Sequence, residues 1–262
     1  MTPSQYADRY LTLPTMLDNG QVATVRIDKY LQNNGSKRNK NGLAAKDAII
    51  GAMVAETKTS WGATTFTIDG WPVNKVGVAY VFMGKGSPYE ISDALWLASR
   101  YGLIRINSER ENHTGVATRT LDGFCDDCVG LDCNGFVNNF LSFSRDKSID
   151  TYDVNYPKAR RQSVEDVQAN DVLVFVEEDD AAAKSTKAGR SYPHIALIDA
   201  VAPAGKDQLT LTVVQSSGGE VGLHVSTDVK IFANHGKGIF FTSGVRKAYV
   251  VPPPAGAGQP KV

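Results

Sequence analysis

The chain has 262 residues, 42% of them apolar, and carries 28 basic against 28 acidic side chains, so its formal charge is zero. That length and apolar content can bury a core without disulfide staples. No basic cluster exceeds "SKRNK" at 36–40 and no apolar run reaches the length of a bilayer span, which excludes the usual footprints of a nucleic-acid partner and of a membrane helix. Three cysteines cannot all pair within one chain, so at least one thiol is expected to be free.

The start, "MTPSQYADRYLTLPTM", lacks a basic stretch followed by an apolar one, and predicts no ordinary export signal and synthesis in the cytoplasm. "GLAAKDAIIGAMVAETK" (42–58) has apolar residues at helical spacing, and "TTFTIDGWPV" has two extended runs about an Asp-Gly turn signal. "SPYEISDALWLASRYG" opens on Ser-Pro and closes on Gly102, which predicts a helix. The polar stretch "RINSERENHTGVATRTLDG" reads as a loop leading into the cysteines, and Cys125 and Cys128 read as part of that loop, among Asp122, Asp126, Asp127 and Asp132. Phe136, Val137, Phe140 and Leu141 then share one face of an amphipathic helix beginning close to Cys133.

From residue 171 the pattern changes to strands: "DVLVFVEE", "HIALIDAV", "QLTLTVVQSS" and "IFFTSGVRKAYVV" are rich in β-branched and aromatic residues between Gly, Pro, Asp and Ser. Residues 178–191 form a long polar connection, and the Pro- and Gly-rich end, 251–262, reads as a loose, disordered tail. Helices first and strands after predict an α+β fold with a mostly antiparallel sheet. Residues 1–110 read as a mixed α/β extension packed on a core at 111–250.

Cys133 is the candidate nucleophile, because a thiol at the first turn of a helix meets unsatisfied N–H groups and the positive end of the helix dipole. Cys125 and Cys128, among aspartates, are poorer nucleophiles. Their spacing to Cys133 begins a zinc-site pattern, but no fourth ligand follows nearby, so no metal or other cofactor is expected. Pairing of Cys125 with Cys128, or of either with Cys133 in a redox latch, is an alternative use.

A cysteine nucleophile needs a histidine base and a group that fixes the ring tautomer. Of the four histidines, His113, His224 and His235 read as surface residues. His194 starts the apolar run "HIALIDAV", and Gln215 ends the following run "LTLTVVQ". Neighbouring antiparallel strands would set the two side by side, with the Gln215 oxygen on imidazole Nδ1 and Nε2 towards the thiol. Asp132, Asn134 and Gly135 flank the nucleophile and are candidates for substrate binding, Gly135 because it lets a backbone approach closely.

Taken in order, "GLDCNGFVNNFL", "SVEDVQANDVLVFV", "PHIALIDAV" and "LTVVQSSGG" resemble the NlpC-type cell-wall cysteine peptidases, papain-like enzymes related to the CHAP amidases. The resemblance covers about residues 122–220. It matches Cys133 to the nucleophile, His194 to the base, Gln215 to the orienting position and Asp132 to the acid before the cysteine. Asn134 stands where the family has Ser, Ala169-Asn170-Asp171 stands for Pro-Gly-Asp, and the family's Tyr and Trp-Gly-Gly motif ahead of the cysteine has no counterpart. The resemblance implies a papain-like core, with the nucleophile helix on the sheet, and hydrolysis of an amide in a peptidoglycan stem peptide without a metal. A papain-like hydrolase, deamidase or acyltransferase acting on a protein is the rival enzyme, and an inactive papain-fold binding module the rival outside enzymes. With no export signal predicted, a cell-wall substrate calls for a dedicated export machine, with an immunity protein as a partner, or for release as a lysin.

Overall fold

The computed structural model of the chain describes residues 1–31, 39–106, 112–153, 158, 160–178, 190–218, 221–234, 238–243 and 246–258. Most of the basic stretch 36–40, most of the polar connection 178–191, His235 and residues 259–262 lie outside the described residues. The fold is mixed α and β with antiparallel sheets, and the chain divides into two compact units. One comprises residues 8–135 and 218–223; the other comprises 1–7, 136–217 and 224–262. Among the described residues no helix is long and apolar enough to cross a membrane.

The first unit is largely helical. The end of helix α1 (Pro3–Leu11), from Asp8 on, leads into the hairpin β1 (Leu13–Met16) and β2 (Val22–Val25). Then follow α2 (Lys40–Thr57), the hairpin β3 (Thr65–Ile68) and β4 (Trp71–Asn74), α3 (Lys75–Val81), α4 (Pro88–Arg100), α5 (Leu121–Cys128) and the first turn of α6 (Cys133–Phe140). Helix α4 forms where its sequence signals coincide. Ser87 and Glu90 make a reciprocal capping box, Pro88 takes the first turn, and Ile91, Ala94, Leu95 and Ala98 are buried at helical spacing. Of these, Ile91 and Leu95 each contribute about 1.5–3 kcal/mol by leaving water. Gly102, at φ +75°, then turns the chain out of the helix. In the β3–β4 hairpin Asp69 and Gly70 both have positive φ, 50° and 82°, the two-residue turn that an Asp-Gly pair favours.

The cysteine approach differs from expectation. Cys125 and Cys128 are not in a loop: Thr120 caps α5 by accepting from Gly123 N–H, and Phe124, Cys125 and Cys128 form its buried face. The aspartates Asp122, Asp126 and Asp127 lie on its more exposed side, which is how an acidic sequence holds an apolar stripe. At the end of α5, Asn39 caps α2 through its oxygen at 3.0 Å from Gly42 N and donates its amide to Asp127 O at 2.8 Å, tying the two helices together.

The second unit is a closed six-stranded antiparallel barrel in the order β10-β5-β6-β7-β8-β9. Its strands are β5 (Val172–Glu178), β6 (Arg190–Gly205), β7 (Gln208–Ser217), β8 (Gly222–Asn234), β9 (Gly238–Ser243) and β10 (Arg246–Val251). Leu173, Ala196, Ile198, Leu211, Val213, Ile231, Ala248 and Val250 fill its core. Strand β6 starts before His194, so this residue is inside a strand and not at its first position. Strand β8 was not foreseen, because its alternation breaks at Asp228, which has φ +61°. On one side of that kink His224 and Ser226 are the less exposed residues, on the other Val229 and Ile231, so an even-numbered row is continued by an odd-numbered one, as at a bulge.

Two further features hold the barrel unit. Asn170, where the resembled family has Gly, has φ +72°, a left-handed position that Asn tolerates best after Gly. The turn it makes is pinned to β6, with Asn170 N on Ile198 O at 2.8 Å and Ile198 N on Asp171 O at 2.9 Å. Asp153 and Arg160 form a fully buried bidentate pair at 2.9 and 2.7 Å; Tyr192 donates to the same carboxylate at 3.3 Å, and the guanidinium lies 3.2 Å from the centre of the Tyr249 ring. The C-terminal segment is not loose throughout: Val251 is buried at the end of β10, and Gly258 N–H donates to Leu141 O at 2.9 Å.

Candidate active site

Cys133 is buried and opens α6. Asp132 caps the helix through a short hydrogen bond from Gly135 N–H to its Oδ1, and its own N–H donates to Gly84 O at 2.8 Å. The carboxyl of Asp132 is pushed up to about 7, chiefly by burial, against the opposing pull of the Gly135 N–H and Lys85. Its visible work is capping the helix. Gly135 is small for a reason other than the one predicted. A Cβ there would lie 2.3 Å from Gly84 O and 2.8 Å from Lys85 Cα, so the space is filled by the protein's own backbone. Asn134 is the second residue of the helix and is partly exposed.

Tyr30, which no local pattern singles out, stands beside the thiol. The Tyr30 hydroxyl is hydrogen-bonded to Cys133, and burial first, then the charges of Cys133 and Asp132, raise it far above the ordinary tyrosine range, so it stays an O–H donor. Main-chain pairing puts it there: Leu31 N donates to Leu131 O at 3.1 Å and Leu131 N to Lys29 O at 2.9 Å, a parallel bridge between 29–31 and the residues leading into α6. Glycines permit that pairing. A Cβ at Gly130 would meet Lys29 O and Leu31 Cβ at 2.7 Å, and one at Gly84 would meet Leu31 O at 2.1 Å. No sequence signal marks Tyr30, because its partner is about a hundred residues away.

The other two thiols sit in surroundings that disfavour the thiolate. Both are buried and free, and burial, reinforced by neighbouring aspartates, pushes Cys125 up to about 12 and Cys128 up to about 11, Arg119 acting the other way on Cys128. Among the described residues no three His, Cys, Asp or Glu side chains converge as a metal site.

In the barrel unit the structure brings His194 and Gln215 together, with imidazole Nε2 2.7 Å from amide Oε1. The nitrogen is the opposite of the one expected: with Nε2–H donating to Gln215, the basic lone pair belongs to Nδ1. Continuing the β6–β7 register from Leu197 opposite Val214 makes Gln215 the diagonal, not the direct, neighbour of His194. On the other side His194 faces Phe175, its cross-strand partner, with ring centres 5.0 Å apart. The chain of contacts goes further than predicted. Gln215 Nε2 lies 3.2 Å from His224 Nε2 and 3.1 Å from Ser226 Oγ, so His224, read as a surface residue, is part of this polar group. The kink at Asp228 is what hid it.

Cys133 belongs to the helical unit, and His194, Gln215, His224 and Ser226 to the barrel unit. Comparison of the chain with protein-family models, with curated proteins and with solved structures found no match, so the family resemblance rests on the quoted residues alone.

Proposed function

We propose that the protein is a papain-like cysteine amidase or endopeptidase of the NlpC type, cutting an amide bond in a peptidoglycan stem peptide. The observation that carries the reading is the 2.7 Å bond between His194 Nε2 and Gln215 Oε1, because a histidine whose tautomer is fixed by a neutral amide is the arrangement a thiol nucleophile needs. Cys133, at a helix start beside a hydroxyl donor, supplies the nucleophile.

In this mechanism His194 Nδ1 takes the thiol proton as Cys133 Sγ attacks the carbonyl carbon. Backbone N–H groups of the first turn of α6 stabilise the oxyanion. Gly135 N–H is not one of them, since Asp132 accepts from it. The imidazolium returns its proton to the leaving amine, which leaves a thioester on Cys133. Water, deprotonated by the same ring, then releases the carboxylic acid and restores the thiol. None of these steps requires a metal.

The test is digestion of purified peptidoglycan under reducing conditions by wild type, Cys133→Ala and His194→Ala, with fragments identified by mass spectrometry. New amine termini are expected from wild type alone. No cleavage by a wild type whose Cys133 reacts rapidly with a thiol-directed probe would refute the cell-wall substrate and leave a protein substrate as the reading of the same residues.

A further inference from the structure

We infer that His224 sets the tautomer of His194 through the Gln215 amide, with the two rings held in opposite tautomers. This makes His224 a positioning residue of the proposed reaction, and its catalytic consequence rests on the assignment of His194 as the base.

The two rings meet opposite ends of one amide. Gln215 has one oxygen and one NH2 group; the oxygen is 2.7 Å from His194 Nε2, while the nitrogen is within 3.2 Å of His224 Nε2 and 3.1 Å of Ser226 Oγ. In this arrangement His194 must donate from Nε2, and His224 must accept at Nε2 and so carry its proton on Nδ1. Rotating the amide by half a turn reverses both: His194 Nε2 would accept and His224 Nε2 would donate. Ser226 can donate or accept, so it fits either state and only helps to hold the amide. Among these contacts, His224 is the group whose state discriminates between them. Only the first arrangement leaves the basic lone pair of His194 on Nδ1, where the proposed chemistry uses it.

The geometry gives the relay a defined place. His194 and Gln215 lie in the same alternation rows as Ala196 and Ile198 on β6 and Leu211 and Val213 on β7, which face the barrel core. The kink at Asp228 carries His224 and Ser226 into the corresponding row of β8, continued by Ile231. Without that extra residue the pair would fall on the face of Val225 and Phe232, which are 44% and 47% exposed.

The experiment is a long-range proton–nitrogen correlation spectrum of the full chain, labelled with nitrogen-15 and recorded at pH 8, for wild type, His224→Leu, His224→Gln and Ser226→Ala. Wild type is expected to show His194 protonated on Nε2 and His224 on Nδ1. His224→Leu is expected to convert His194 into a mixture of tautomers and lower kcat about tenfold with KM unchanged, and His224→Gln, which restores an acceptor, to reverse much of both. Wild-type rings in the same tautomer, or a His194 tautomer unmoved in His224→Leu, overturn the inference. The wild-type spectrum decides even if His224→Leu does not fold, and Ser226→Ala, which keeps the His224 contact, is expected to keep opposite tautomers. Opposite tautomers in a protein without Cys133-dependent hydrolysis would keep the relay and sink the amidase reading. Cys133-dependent hydrolysis with unmoved tautomers would sink the relay alone.

Discussion

Asp132→Asn tests whether the acid before the nucleophile is a strained cap. Burial raises its carboxyl from 3.8 to about 7, with the Gly135 N–H and Lys85 only partly offsetting the effect. A group whose folded pKa is raised binds its proton more tightly in the folded state. Its contribution to stability is therefore full below the unfolded value and is lost as pH rises from about 4 through 7. The gap between the two values corresponds to roughly 4 kcal/mol, and the residue's partial surface exposure brings the expected effect to about 2–4 kcal/mol. Asn keeps an oxygen to accept from Gly135 N–H and never ionises, so groups common to both proteins cancel when the two are compared. Urea unfolding from pH 4 to pH 8 should show little difference at pH 4 and the variant increasingly more stable above pH 5, levelling off past pH 7. A difference that is flat with pH, or that favours wild type at pH 8, would refute the argument.

Asp153→Ala is expected to destabilise the barrel unit by about 3–5 kcal/mol, since it leaves Arg160 charged in a fully buried site; Arg160→Met in the same chain should recover much of that loss, as read by urea midpoints in a double-mutant cycle. Gly84→Ala would place a Cβ 2.1 Å from Leu31 O at φ +76° and is expected to cost more than about 3 kcal/mol, whereas Gly20→Ala, at φ +81° with nothing within 4 Å, should cost about 1 kcal/mol; thermal unfolding of the two variants distinguishes crowding from backbone strain.

The elements legible in the sequence are those in which several local signals agree. At residues 87–102 cap, proline, periodicity and terminal glycine all indicate one helix, and the Asp69-Gly70 turn carries its own φ requirement. Helix α5 was obscured because its buried stripe is only Phe124, Cys125 and Cys128, set among three aspartates whose charges dominate the composition. Strand β8 was obscured by a single kinked residue that shifts the alternation. The pairing of His194 with Gln215 was legible because His194 starts one apolar run and Gln215 ends the next, but which ring nitrogen faces the amide depends on register and rotamer, which no local pattern encodes. Tyr30 and His224 depend on contacts between distant segments, and Gly135 was misread because the backbone that crowds it lies some fifty residues earlier, at Gly84.

The closure of the barrel also bears on how the chain matures. Strand β10 is the last of the six to be synthesised, and it pairs with β5 on one side and β9 on the other. Until residues 246–251 have left the ribosome, β5 and β9 each present an open edge, the kind of surface that templates pairing with another chain. The nascent barrel is thus at its most adhesive just before completion, and the closing strand removes both edges in one step.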